Sequence, residues 1–332
     1  MLPAKLNFLH HVRWLRAAAD AVGAQVLMEF GATEALVRQA GRHWVLHPQF
    51  MTEVQGVIRY VRRMPDAPAV FAGWRPSVAA SWPASLDKLV FKRAATRLGL
   101  RVPAFSLADD GDGLADVIVK RASGSFGEHV HGPFRIAAER SLKVADGEFY
   151  ERFIRGSMLK VWYCNDRAVA LERDLITSVT GDGESTVRQL VERRLDAQVL
   201  SVATARETLM ERVAQLLAFE GRRFDDVMPI GVTQSIEFRY GSDLGQARNR
   251  MTVDLSSSAP PEWQALVDAG PAFASLIPQE FRGCLVYTID AVLDEDGQLW
   301  FLEMNANPVV HPLAYASMLQ ILTKAPDPAG TA

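Results

Sequence analysis

The sequence predicts an α+β fold built from several subdomains. A helix and short strands open the chain. Strands and helices then follow in mixed order rather than in regular strand–helix–strand units, and two hairpin signals, Asn165-Asp166 and Asp296-Gly297, ask for antiparallel neighbours. At 332 residues the chain is long enough for two or three packed units.

Residues 9–22 carry apolar side chains at helical spacing, and Gly23 is a stop signal. "AQVLMEF" and "HWVLHPQ" read as short strands, and the proline-punctuated "RMPDAPAVFAGWRPS" as a connection. "DKLVFKRAATRLG" predicts a helix capped by Asp87 and ended by Gly99, with Leu89, Ala94, Ala95 and Leu98 on its apolar side. "DDGDG" at 109–113 is loop. "DVIVKRASGSFGEHVHG" is a strand running into a Gly/Ser-rich loop. "MLKVWYCNDRAVALERD" is a hairpin. "TGDGESTVRQLVERRLDA" is a turn and a helix starting near Ser185 or Thr186. Residues 205–219 form an amphipathic helix with Leu209, Val213, Leu216 and Leu217 on one face. A strand-like stretch with a Gly- and Arg-rich loop, a helix in two pieces (260–277), a hairpin over 287–308 and a frayed tail complete the chain.

Composition excludes some classes. A net charge of −3 gives no global basic field for nucleic acid. No uncharged run reaches membrane-span length, and the N-terminus lacks a signal-peptide pattern. The two cysteines, Cys164 and Cys284, suit a reducing compartment and read as small buried strand residues. Together these place the protein in the cytoplasm.

The hairpin carries the chemistry. Counting outward from a two-residue Asp296-Gly297 turn, Glu295 faces Gln298, so Asp290 faces Glu303 and Thr288 faces Asn305, all four on one face. Opposed Cβ atoms lie about 4.5–5.5 Å apart, where two carboxylates repel. An exposed polar face is one reading, opposed by Leu299 and Phe301 on the same alternation. The other is a divalent cation: hard oxygen donors at this spacing suit Mg²⁺, which takes one or two carboxylates plus phosphate oxygens. A phosphate cradle is available in "VIVKRASGSFGEHV", where Lys120 ends a strand before a loop with Gly124 and Gly127. Lys88 is a second cation candidate.

The ordered set Asp87-Lys88, "VIVK" with its glycine-rich loop, and Asp290…Glu303-x-Asn305 resembles the ATP-grasp family of ligases from about residue 77 onward. The nearest likeness is to the ATP-grasp part of cyanophycin synthetase and to glutathione-synthetase-like enzymes. It is carried by "AVALERDLITSVTGDGESTVRQLVE" and "IEFRYGSDLGQARNRMTVDL". The resemblance implies an ATP-grasp fold: a small N-terminal α/β pre-domain (1–80), a central subdomain (81–155) with phosphate lid and adenine hinge, a C-terminal subdomain (156–325) with metal and substrate sites, and a tail (326–332). ATP would lie between the two α+β subdomains. Lys88 and Lys120 would meet phosphates or the adenine edge, and Ser123, Gly124, Ser125 and Gly127 would form the lid. Glu151 with its side chain, and Arg152 and Phe153 with backbone groups, would be the adenine hinge. Asp290, Glu303 and Asn305 would hold two Mg²⁺, which Mn²⁺ could replace.

The implied activity is ATP-dependent joining of a carboxylate to an amine through an acylphosphate, releasing ADP and phosphate, on amino-acid or small-peptide substrates in a biosynthetic pathway. Two positions depart from the family. Met158 stands where many relatives bind ribose with an acid. Thr288 stands where the D-alanyl-D-alanine branch has an arginine, which passes the oxyanion role to Arg239. Arg248 and Arg250 are candidate clamps for a substrate carboxylate, with a solvated loop as the competing reading. His311 is a candidate lining residue of the acceptor pocket. The partners implied are small molecules, neither nucleic acid nor membrane, with room for a homodimer. Three alternatives remain: modification of a ribosomal peptide or protein, closure of an intramolecular ring, and a non-catalytic nucleotide-binding module.

Overall fold

The computed structural model describes residues 4–28, 33–54, 57–66, 69–109, 111–124, 130–136, 145–174, 176–196, 203–239, 250–256 and 259–324. Helix and sheet are mixed, and all strand pairings among these residues are antiparallel, giving an α+β architecture.

The N-terminal unit packs α1 (Ala4–Ala21) on a five-stranded sheet: β1 (Gln25–Leu27), β2 (Ala35–Gln39), β3 (Arg42–Val54), β4 (Val57–Val61) and β5 (Ala69–Arg75). The sequence reading took residues 63–77 for a connection, yet Ala69–Arg75 is a strand paired with the long β3. Pro76 follows the paired segment, so it bounds the strand without removing a ladder bond. Phe71 and Trp74 are buried in a core shared with Leu15, Phe50 and Tyr315.

Next come α2 (Pro83–Leu86) and α3 (Lys88–Arg97). Asp87 caps α3 by accepting from the Leu89 and Val90 N–H groups, and Gly99 ends it at φ +74°. The expected apolar stripe is rotated. Leu98 is exposed, and the buried side holds Leu89, Phe91, Lys92 and Ala95. A four-stranded sheet of β6 (Phe105–Ser106), β7 (Ala115–Arg121), β8 (His131–Ile136) and β9 (Glu148–Arg152) has the order β6-β9-β7-β8.

The largest C-terminal sheet contains β10 (Gly156–Cys164) and β11 (Arg167–Asp174). After these, β12 (Ser178–Thr180), α4 (Val187–Asp196), α5 (Ala203–Phe219) and β13 (Thr233–Ser235) form a side unit with its own core around Val187, Val213 and Met228. Thr186 and Gln189 exchange side-chain-to-backbone hydrogen bonds, the reciprocal cap that starts α4. The chain returns to the large sheet with β14 (Arg250–Asp254), passes through α6 (Gln264–Asp268) and α7 (Gly270–Ser275), and adds β15 (Val286–Asp294) and β16 (Leu299–Ala306). The order is β14-β11-β10-β15-β16, and α8 (Pro312–Lys324) closes the described chain against α1. Cys164 is a buried strand residue as expected; Cys284 is buried but precedes β15, with φ +46°.

The final hairpin reaches the expected pairing by another route. Asp290 faces Glu303 and Thr288 faces Asn305. The tip, however, is not a two-residue turn. Asp294 N–H bonds to Gln298 O, leaving Glu295, Asp296 and Gly297 as the loop, with Gly297 at φ +74°. Leu293 therefore faces Leu299 and Ala291 faces Phe301, and Leu302 is the extra residue of a β-bulge that restores the register at the acids. Core packing gives the physical reason. Without the bulge Phe301 would share a face with Glu303. With it, Phe301 enters the core edge-on to Phe273 at 5.0 Å, and Leu302 turns to the other face.

Two stability predictions follow from α8's contact with the N-terminal unit. Gly73 has φ +105°, and a Cβ there would meet Tyr315 Oη at 2.7 Å and Val310 Cβ at 2.8 Å. Gly73→Ala should cost about 2–3 kcal/mol in urea unfolding, and an unchanged midpoint would refute this contact. His11 is buried, its Nδ1 2.7 Å from Tyr315 Oη. Burial, with like charge from His10, pushes its pKa down to about 3. The unfolded chain holds its proton below about 6.5, so stability falls as pH drops from 6.5 toward 3. Urea midpoints across that window should slope less in His11→Gln.

Candidate active site

A cleft of about 740 Å³ lies between the β6-β9-β7-β8 sheet, the large sheet and the N-terminal unit. Register sets out its floor. On β10, Met158, Lys160 and Trp162 share one face, with successive members about 6.8 Å apart. Lys160 faces Glu172 on β11 and Asp290 on β15, and Asp290 faces Glu303 on β16, so one row of the sheet reads Glu172–Lys160–Asp290–Glu303. The next row reads Ala170–Trp162–Thr288–Asn305.

Each acid of the facing pair holds a lysine. Lys160 Nζ is 2.5 Å from Asp290 Oδ1, and Lys88 Nζ is 3.2 Å from Glu303 Oε2. Asn305 Nδ2 donates toward both carboxylates, at 3.2 and 3.4 Å. Burial, with the charge of Glu303, raises the pKa of Asp290 against the pull of Lys160. Burial also opposes ionisation of Glu303, but Lys88, Lys120 and Lys160 outweigh it and hold that carboxyl low. Thr288 Oγ1 is buried beside them with no hydrogen-bond partner.

This donor set fits Mg²⁺. It offers two carboxylates and, after a half-turn of the Asn305 amide, one amide oxygen. No third His, Cys, Asp or Glu joins them among the described residues. Mg²⁺ does not need one, because it keeps waters and takes phosphate oxygens.

A second buried cluster sits above the acids. Glu151, fully buried, lies between Lys92 Nζ at 2.5 Å and Lys120 Nζ at 2.7 Å. Both cations outweigh the burial that would otherwise protonate it, and its pKa is lowered. Lys92 loses basicity through burial, a loss Glu151 opposes. The Lys88 N–H bonds to Ala122 O and its Nζ donates to Gly124 O at 2.6 Å, so the start of α3 is tied to the end of β7.

The expected residues are thus distributed as follows. Lys88, Lys120, Ser123, Gly124, Glu151, Phe153, Arg239, Asp290, Glu303, Asn305 and His311 all line the cleft. Ser125, Gly127 and Arg248 lie outside the described residues, and of Arg250 only the backbone is described. Arg152 does not reach the cleft. Its side chain is exposed and its N–H is taken by Ala104 O, while Ile154 lines the cleft instead. Glu151 is engaged by two lysines and so anchors them, rather than offering a free carboxylate to a base. Arg239 pairs with buried Glu237 at 3.0 Å and donates to Val130 O. His311 Nδ1 accepts the Leu313 N–H at 3.2 Å, which caps α8.

Lys92 and Lys160 were missed by the sequence reading. Both carried a signal: Lys92 lies four residues after Lys88 on the buried stripe of α3, and Lys160 interrupts an apolar strand. Ile118, Phe153, Met158 and Leu302 give the same cleft an apolar slot, the surface a flat ring needs.

The chain is similar in sequence to two curated proteins named glutathione biosynthesis bifunctional protein GshAB. The Streptococcus mutans protein is 23% identical over 279 residues, covering 72% of this chain and 34% of that protein. The Desulfotalea psychrophila protein is 24% identical over 249 residues, covering 68% and 31%. The chain therefore spans about a third of the length of these relatives. Among solved structures, a bifunctional glutathione synthetase from Pasteurella multocida overlays with TM-score 0.44 at 14% identity, covering 94% of this chain and 43% of that one. A D-alanine–D-alanine ligase from Bacillus anthracis overlays with TM-score 0.35 at 12% identity, covering 72% and 66%. No protein-family model matches. Among the described residues no helix is long and apolar enough to cross a membrane.

The buried ion cluster is testable by stability. Lys92→Met leaves the Glu151 carboxylate short of one buried cation and should cost about 3 kcal/mol. Adding Glu151→Gln should recover part of that loss. A Lys92→Met chain as stable as the parent would show that the cluster does not bear on folding.

Proposed function

We propose that this chain is an ATP-dependent carboxylate–amine ligase of the ATP-grasp type, with Mg²⁺ as its metal and amino acids or small peptides as substrates. One observation carries the reading: two half-buried acids face each other across a hairpin at the floor of a cleft, each held by a lysine. The lysines offset part of the repulsion between the two acids, and a shared divalent cation would relieve the rest. Similarity to the GshAB proteins, named for glutathione biosynthesis, supports the same class. Two free, buried cysteines suit a cytoplasmic enzyme.

In this reading the units 81–155 and 156–325 close on ATP. The adenine takes the apolar slot and Lys88 and Lys120 meet the phosphates. Asp290, Glu303 and Asn305 hold the metal, which neutralises phosphate charge when bound. A substrate carboxylate oxygen attacks the γ-phosphorus, the bridging P–O bond breaks, and ADP leaves with that electron pair. The amine, after losing a proton, attacks the acyl carbon. A C–N bond forms, the acyl C–O bond breaks, and phosphate leaves with its electron pair while the nitrogen sheds its second proton. Arg239, at the cleft wall, is the chain's own cation for the developing oxyanion.

A phosphate-release screen over amino acids and dipeptides, with product masses, tests this. ADP should appear with a product heavier than either substrate, or a substrate lighter by one water if the amide closes a ring. AMP formation, or no turnover with any pair, overturns the reading. Asp290→Ala and Glu303→Ala should each lower turnover by about 10²–10³-fold.

A further inference from the structure

The acids that suit a metal already hold cations of the protein's own. Lys160 Nζ lies 2.5 Å from Asp290 Oδ1, and Lys88 Nζ lies 3.2 Å from Glu303 Oε2. A divalent ion between Asp290 and Glu303 would meet both ammoniums at close range, where like charges repel. Metal binding therefore requires each lysine to move aside. A lysine left without a partner in this floor would weaken the metal's hold by the cost of an unpaired, largely buried charge.

Strand register gives Lys160 a second place to go. Along its own strand its neighbours on the cleft face are Met158 and Trp162, about 6.8 Å away and without charge. Across the sheet it has a carboxylate on each side, Asp290 on β15 and Glu172 on β11, at opposed positions whose Cβ atoms lie about 4.5–5.5 Å apart. Lys160 and Glu172 both line the cleft, and each side chain is 18% exposed. The flexible four-carbon stem of a lysine lets its ammonium pass from one cross-strand neighbour to the other while the backbone ladder stays in place. Lys88 also has a second partner, since its Nζ donates to Gly124 O at 2.6 Å.

We propose that Lys160 is a placeholder cation. It neutralises Asp290 in the metal-free site, and it moves to Glu172 when Asp290 and Glu303 take a divalent ion. Glu172 is then a positioning residue for metal binding, although it lies about 10 Å from Asp290 along the row and does not touch the ion. This rests on the ligase reading and adds to it how the acid pair is held before the metal arrives. A fixed carboxylate would attract a metal through space whatever stood between them. A moving lysine adds a dependence that such attraction lacks: Glu172 matters only while Lys160 is present.

Titration of the full chain with Mn²⁺, followed by electron paramagnetic resonance of the free ion, tests this. The signal belongs to the acid pair if Asp290→Ala abolishes it. Lys160→Met is expected to tighten Mn²⁺ about tenfold, because no ammonium has to leave Asp290. Glu172→Gln is expected to weaken it about tenfold, because Lys160 then has no second carboxylate. In the Lys160→Met background, Glu172→Gln should change the affinity by about twofold at most. Urea midpoints check that each variant is folded, and Lys160→Gln takes the place of Lys160→Met in the same cycle if the apolar replacement does not fold. An equal effect of Glu172→Gln with and without Lys160 overturns the proposal, since Glu172 would then act by charge alone. Unchanged Mn²⁺ binding in Glu172→Gln, or no tightening in Lys160→Met, overturns it too. In each of these cases the ligase reading stands. A parent chain that binds no Mn²⁺ also ends the proposal, and the ligase reading falls with it if ATP fails to bind as well.

Discussion

The carboxylate of Glu151, held between Lys92 and Lys120, is the interaction on which the rest of the cleft depends. It ties a helix to a strand pair, since Lys92 comes from α3 while Lys120 and Glu151 come from the neighbouring strands β7 and β9. A buried charge triad of this kind is costly if any member loses its partner, so it holds α3 against the sheet. Once α3 is seated, Lys88 at its first position reaches both Gly124 O and Glu303. Lys120 then acts in two directions, pairing with Glu151 and helping to keep Glu303 ionised. The charge state of the acid pair is thus set partly by a cluster on another sheet.

The large sheet supplies the complementary order. Its strands place charges in a row across the floor, with one lysine between two acids and a third acid beyond. Distances along this row are fixed by ladder spacing.

Much of this was legible in the residues, for identifiable reasons. Alternation around the hairpin tip exposed the facing acids, and caps such as Asp87 located their helices. What escaped was set by tertiary packing. Segment 69–75 was hidden by flanking prolines and revealed only by the partner it pairs with, β3. Lys92 was not singled out because helix propensity says nothing about a carboxylate on a strand far off in sequence. Lys160 needed its two cross-strand neighbours, far off in sequence, to be visible as part of a site. Arg152 was given a hinge role for its backbone by analogy, and its N–H is taken by Ala104 O.

The bulge at Leu302 has a further implication. The same twenty-odd residues could close with a tighter tip and no bulge, and the acids would still oppose one another. In that isomer, however, Phe301 would leave its place against Phe273 and stand on the face that Leu302 now occupies, inside the cleft. The bulge therefore decides which side chain meets the cleft: Leu302 lines it, and Phe301 is held on the opposite face against Phe273. A packing contact on the far side of the sheet thus keeps the larger ring away from the acids.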